Sequence, residues 1–252
     1  MQSTDQIVRV VLMMPMAILG SVMVARKIHR EFPLFFTHVV CSVLISIVRL
    51  CTMRADYPLY FTLYYIADAV YAITTVMALH ESFKWEFLDF YQFRFFWVVF
   101  PSIAIVIVGP AIVHALLHPA TGSAVVTVIF SVVTPINYLK AGLFGLFFLF
   151  AFCFGVEWHR YPYGIVIGFG ATAWGYWIAH GMNDHFGTQL KPYGKYLFSA
   201  AYLFGVAIWL ITFAKKSSFD SQKGLRTGTT QELLRRALHT LGMLKGMRKY
   251  EF

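Results

Sequence analysis

The chain has 252 residues, of which 58% are hydrophobic and 18% aromatic, while only 13% are charged. A soluble domain carries about 25% charged residues, so this composition excludes a soluble globular enzyme, and the high hydrophobicity excludes a disordered chain. The net charge of +9 does not indicate a nucleic-acid partner, because nine basic and three acidic residues lie in the last segment, 215–252.

Apolar runs long enough to cross a bilayer recur along the chain. A membrane helix needs about 20 mostly apolar residues, and the N-terminus lacks the features of a cleaved signal, so the first run is expected to remain as a helix. The fifth run contains Pro135 and is either one kinked helix or a short outer segment followed by the span. The sequence predicts an all-α, polytopic bundle of seven transmembrane helices near 7–25, 34–53, 58–80, 95–117, 124–155, 163–182 and 196–214.

Basic residues near the span ends predict the orientation, because Lys and Arg are retained on the cytoplasmic side. With the N-terminus outside, fifteen of them lie inside and five outside. The inner set is Arg26, Lys27, Arg30, Lys84, Arg94, Arg160 and nine residues of the tail, and the outer set is Arg9, Arg49, Arg54, Lys191 and Lys195. We therefore expect a multi-pass protein of the cell (inner) membrane with its N-terminus out and its C-terminus in.

Two units follow from this pattern: a transmembrane domain over 1–214 and a basic cytoplasmic tail over 215–252. In the tail, Thr229–Glu232 resembles a helix start, and leucines then recur at helical spacing among basic residues. This is typical of an amphipathic helix on a membrane surface. We expect it to contact anionic headgroups, and a membrane or cytoplasmic protein partner is the alternative.

A polar site is predicted around Asp68, which lies about 15 Å into the third span at 1.5 Å per residue. An ionisable group at that depth needs a partner or a purpose. Lys140, which shares the fifth span with Asn137, is the candidate counter-ion, and the alternative is a polar clamp that only fixes helix packing. The predicted site comprises Asp68, Lys140, Tyr64, Tyr65, Tyr71 and Asn137.

A second constellation consists of two pairs at helical spacing, each at the outer end of a span. His114 and His118 are four residues apart, as are His180 and Asp184. Side chains at i and i+4 share a helix face, so the four residues are candidate zinc ligands. The simpler interpretation is that these are interfacial histidines, and no cofactor is predicted otherwise. On the inner side, His80 and Glu81 are interpreted as solvated residues of a loop that extends to Arg94.

Several short motifs accompany these features. They are Arg30-Glu31-Phe32-Pro33-Leu34-Phe35, Pro58-Leu59-Tyr60-Phe61, Asp68 with Glu81, Pro162-Tyr163-Gly164-Ile165 and Gly168-Phe169. In these motifs the chain resembles an uncharacterised group of bacterial, acidobacterial-type seven-helix integral membrane proteins of unknown function, which usually have Glu where Asp68 stands. The resemblance implies the fold and no activity.

Other seven-helix families fit less well. Retinal is not supported, because the last span, 196–214, has no lysine. The zinc hydrolase family that includes alkaline ceramidases has its His-x-x-x-His pair in the last span, whereas His114 and His118 lie in the fourth. His38 gives only a weak basis for haem, because no second histidine shares its expected depth.

Three functions remain open. The favoured one is a non-enzymatic membrane protein, namely a sensor, assembly factor or accessory subunit, because no complete catalytic motif can be identified. The first alternative is a metal-dependent hydrolase that acts on lipid through the outer His/Asp cluster. The second is a small-molecule or proton-coupled transporter that uses Asp68 and Lys140.

Overall fold

A computed structural model describes residues 2–52, 57–88, 94, 96–118, 124–154, 160–186 and 191–215. Within these ranges the chain forms helices and no strands, which confirms the all-α prediction. A short 3-10 helix, Ile28–Arg30, follows the first of seven α-helices. These are α1 Gln2–Ala25, α2 Pro33–Cys51, α3 Tyr57–Glu86, α4 Phe96–Leu117, α5 Ala124–Phe154, α6 Arg160–Phe186 and α7 Lys191–Ala214.

Four of the helices are long and apolar enough to cross a bilayer. The qualifying segments are Pro33–Cys51, Leu59–Glu86, Trp97–Leu117 and Tyr196–Ala214, in α2, α3, α4 and α7. Each of the seven predicted spans coincides with one α-helix. The chain is therefore a helical membrane protein. The predicted amphipathic helix of the tail lies outside the described residues.

Two helices differ from the predicted spans in informative ways. The fifth span is one continuous helix that passes through Pro135, so the interpretation as two segments is wrong. The third helix continues six residues beyond the predicted end, to Glu86. Its last two turns bury Glu81, Ser82 and Phe83. Glu81 contacts the start of α2, while Phe83 packs against Phe100 of α4 and Phe147 of α5.

The described helices pack in a closed order. Extensive contacts join α1 to α2, α2 to α3, α3 to α5, α5 to α6, α6 to α7 and α7 back to α1, while α3 also contacts α6 across the middle. Helix α4 makes extensive contacts with α5. Only 11% of the apolar stretch that qualifies it as a candidate span is buried. The core is mainly aromatic, with Phe32, Phe35, Phe83, Phe147, Phe169 and Trp209 almost fully buried.

Small residues allow α6 and α7 to approach closely. A side chain at Gly168 would overlap the indole of Trp209, and one at Gly164 would overlap Thr212. The same indole donates a hydrogen bond from Nε1 to the carbonyl oxygen of Ile165 at 3.1 Å. Glycine is thus required at these positions because the facing helix occupies the space of a side chain.

Candidate functional site

The polar face of α3 carries the centre of the predicted site. Asp68, Tyr71 and Thr75 recur at intervals of three and four residues, so they lie along one side of the helix. Tyr65 is buried and packs against Phe61, with ring centroids 4.3 Å apart. The hydroxyl of Thr75 donates a hydrogen bond to the carbonyl oxygen of Tyr71 at 2.8 Å. Asp68 contacts Arg49 of α2. Tyr71 contacts His38 of α2 and Lys140 of α5, so this face is directed towards α2 and α5.

Asp68 forms its ion pair with Arg49 of α2, not with Lys140. The guanidinium of Arg49 also lies over the ring of Tyr64, with Cζ 4.5 Å from the ring centroid. Both charged side chains are about a quarter exposed. The hypothesised Asp68–Lys140 pair is thus replaced by a pair between neighbouring helices, which ties the end of α2 to the first half of α3.

Lys140 is instead enclosed by α5 and its neighbours. Only 5% of the residue is exposed, and its Nζ lies 3.4 Å from the side-chain oxygen of Asn137. The same nitrogen is 5.7 Å from the ring centroid of Tyr71 and 5.8 Å from that of Phe169. Among the described residues, no carboxylate lies within 4.0 Å of it. A buried ammonium without a counter-ion is costly, so this position requires a reason.

His38 of α2 shares both aromatic neighbours with Lys140. Its ring centroid lies 5.0 Å from that of Tyr71 and 5.1 Å from that of Phe169. Nδ1 is 3.2 Å from the hydroxyl of Thr74, whereas Nε2 has no hydrogen-bond partner among the residues that the structure describes, although His38 is fully buried. Sequence reasoning considered His38 only for haem, and its one signal was a histidine within an apolar run.

The predicted site residues thus fall into two groups, one where α3 meets α2 and one where α3 meets α5. Asp68 and Tyr64 surround Arg49, while Asn137 and Tyr71 surround Lys140. Tyr65 joins the first group through Tyr64, since their ring centroids are 5.7 Å apart. The second group has a buried ammonium and a buried imidazole nitrogen that no described residue satisfies. Chemically, it can hold a small anion or a proton.

The predicted zinc cluster is described only in part. His114 lies in the last turn of α4 and His118 directly follows the helix; both are exposed, with ring centroids 5.0 Å apart. The side chains of His180 and Asp184 lie outside the described part of the structure. Among the described side chains, no group of three or more His, Cys, Asp or Glu is placed to hold a metal. The hydrolase alternative therefore stays a prediction, which zinc analysis of purified wild type and His118→Ala would test.

Glu81 has a structural role that the sequence does not predict. Its carboxylate accepts hydrogen bonds from the backbone N–H groups of Leu34, at 3.1 Å, and Phe35, at 2.8 Å. These are early amides of α2, whose N-cap residue, Phe32, offers no side-chain cap. The interpretation of Glu81 as a solvated loop residue is wrong, because the residue is buried and replaces the missing cap from another helix.

Arg160 performs the converse role at the end of α7. Its Nε donates to the carbonyl oxygen of Thr212 and its NH2 group donates to that of Ile211, both at 3.1 Å. A cation at a helix C-terminus satisfies carbonyls that have no partner within the helix and opposes the helix dipole. The sequence places Arg160 only among the inner-side charges, because no local pattern predicts a partner more than 50 residues away.

Comparison of the chain with known proteins finds no relative from which a function could be inferred. No protein-family model matches it, and neither a curated protein nor a solved structure does so. Function must therefore be argued from the side chains described above.

Proposed function

We propose that this chain is a non-enzymatic membrane protein, acting as a sensor, assembly factor or accessory subunit, in which Lys140, Asn137 and His38 bind a small anionic ligand. The observation that carries the proposal is the burial of Lys140 without a carboxylate among the described residues. His38 adds a nitrogen without a partner among the described residues, and its ring shares Tyr71 and Phe169 as neighbours with Lys140. The Arg49–Asp68 pair then serves as the clamp that holds α2 against α3.

The ligand test compares small anions that co-purify with the wild-type protein, Lys140→Met and Lys215→Met. Lys140→Met keeps the apolar stem and removes the ammonium, whereas Lys215→Met removes an exposed lysine at the end of α7. Mass spectrometry should find a stoichiometric anion in wild type and in Lys215→Met, and lose it in Lys140→Met. Equal anion content in all three proteins would refute the proposal.

The membrane arrangement is part of the same proposal. Seven spans with the N-terminus out and the C-terminus in are supported by seven helices of 19 to 31 residues and by the excess of basic residues on one side. The basic tail then meets anionic headgroups on the cytoplasmic side of the cell membrane. Labelling of single cysteines placed near each terminus with a membrane-impermeant reagent should modify only the N-terminal site in intact cells.

A proton-coupled transporter is the second candidate, and the same buried nitrogens favour it. A lysine and a histidine that no described carboxylate neutralises are suited to a proton pathway. Proteoliposomes with an internal pH dye distinguish the two functions. The proposed binding protein should leave proton permeability at the level of empty vesicles. A flux that Lys140→Met and Asp68→Asn both abolish would instead establish transport.

A further inference from the structure

A pocket of about 540 Å³ lies between the start of α2 and the end of α3, far from the Asp68 and Lys140 groups along α3. Its ionisable lining residues are Arg30, Lys84, His80, Glu31 and Glu81, and the indole of Trp85 forms part of its wall. Small-molecule sites typically measure roughly 300 to 1,000 Å³. The space is therefore adequate for a ligand of headgroup size.

The balance of usable charge in this pocket is positive. The carboxylate of Glu81 is already engaged by the amides of Leu34 and Phe35, at the positive end of the α2 dipole. Arg30 and Lys84 are both exposed, and neither forms an ion pair within the described part of the chain. With Glu81 engaged in this way, two cations, Arg30 and Lys84, face one remaining acid, Glu31, in the pocket lining. The remaining excess of positive charge favours an anionic ligand.

Two contacts hold the Trp85 side of the pocket in place. The indole of Trp85 donates from Nε1 to the carbonyl oxygen of Glu31 at 3.0 Å. Its ring packs against the buried ring of Phe32 at a centroid distance of 5.7 Å. Leu88, which is 37% exposed, also lines the pocket. A rigid aromatic wall and an apolar edge beside two cations suit a ligand that is both charged and apolar.

We infer that this pocket binds the phosphate of an anionic glycerophospholipid, with Arg30 and Lys84 as its ligands. Basic pockets between membrane helices commonly bind anionic lipid headgroups. Arginine supplies a planar fork of donors to phosphate oxygens, and lysine supplies a point charge. The same chemistry would accept a soluble phosphate ester, so the experiment includes both sources.

The test measures binding of single phosphatidylglycerol molecules to the full chain in neutral detergent by native mass spectrometry. Arg30→Gln/Lys84→Gln should bind the lipid about tenfold more weakly, because both charge-assisted contacts are lost. Arg26→Gln/Lys27→Gln removes the same charge from exposed neighbours outside the pocket lining and should remain within about twofold of wild type. The basic tail is identical in all proteins, so its own lipid contacts do not separate them.

Further arms identify the source of the phosphate. The charge-conserving variant Arg30→Lys/Lys84→Arg should retain binding. Glycerol 3-phosphate that displaces the lipid would assign the site to a soluble ester, and failure to displace it would assign the site to a lipid. Equal losses in the two glutamine variants, or equal binding of phosphatidylcholine and phosphatidylglycerol by wild type, would overturn the inference. Neither result depends on Lys140, so the pocket and the proposed intramembrane site can fail separately.

Discussion

Asp68 and Glu81 are two acids on the same helix that are neutralised by different chemistry. Asp68 is partly exposed and meets a guanidinium at the end of long, flexible Arg49. Glu81 is buried and meets two backbone amides fixed at the start of α2. The two contacts hold opposite ends of α2 against α3. A side-chain partner can move with its acid, whereas a helix terminus cannot, so the fixed contact should contribute more to the free energy of unfolding.

Glu81→Ala should have the largest effect. It leaves two amides of α2 unsatisfied, one buried and one partly buried, and we expect a loss of about 3 kcal/mol in the free energy of unfolding. Unfolding in mixed micelles with increasing SDS would measure it. Glu81→Gln keeps one neutral acceptor and should lose less, while Lys84→Gln, one turn away and exposed, should change little. Equal stability of Glu81→Ala and Lys84→Gln would show that the amides find another partner.

Arg49→Met should cost about 2 kcal/mol in the free energy of unfolding, because it leaves the partly buried carboxylate of Asp68 without its cation. Asp68→Asn in the same background removes the orphaned charge, so the double variant should be more stable than Arg49→Met alone. The same unfolding assay, arranged as a double-mutant cycle, should yield a coupling energy of about 1 to 2 kcal/mol. Additive losses would mean that the ion pair does not hold the two helices together.

Arg160→Gln tests a contact at the C-terminus of a helix, whereas Glu81→Ala tests one at an N-terminus. We expect a loss of about 1 kcal/mol, because the guanidinium contacts the last carbonyls of α7 from a partly exposed position. Arg160→Lys keeps the charge but not the two-pronged geometry and should fall between wild type and Arg160→Gln. Thermal unfolding in detergent would rank the stability of the three proteins. Equal stability of Arg160→Lys and Arg160→Gln would mean that the contact depends on the geometry of the guanidinium rather than on its charge.

Lys140→Met should change stability least and in the opposite direction. Removal of a buried ammonium that has no described carboxylate partner should raise the free energy of unfolding by up to about 1 kcal/mol. The measurement is made on protein stripped of bound anions by extensive washing in detergent. A large destabilisation would mean that Lys140 is a packing clamp like Arg49, and would remove the main support for a binding role.

Much of the fold was predictable because hydrophobic length is a local property. Each apolar run predicted a helix at the correct place, and Asp68 was correctly expected to need a partner. Its partner was misassigned because Arg49 lies only two residues before the end of α2, whereas Asp68 lies eleven residues after the start of α3. If the end of α2 and the start of α3 were level, Arg49 and Asp68 would lie roughly 13 Å apart along the helix axes. Predicting this pair therefore requires the register of α2 against α3.

Composition and periodicity by themselves determined that the chain is a set of membrane helices, because lipid tolerates only long apolar segments whose backbone groups bond within the segment. Tertiary structure decided which groups satisfy the polar exceptions: Arg49 for Asp68, two amides for Glu81 and two carbonyls for Arg160. These partners are 19 to 52 residues apart in sequence. Such pairings depend on how far one helix slides along its neighbour, and interhelical packing sets that distance rather than any local pattern of residues.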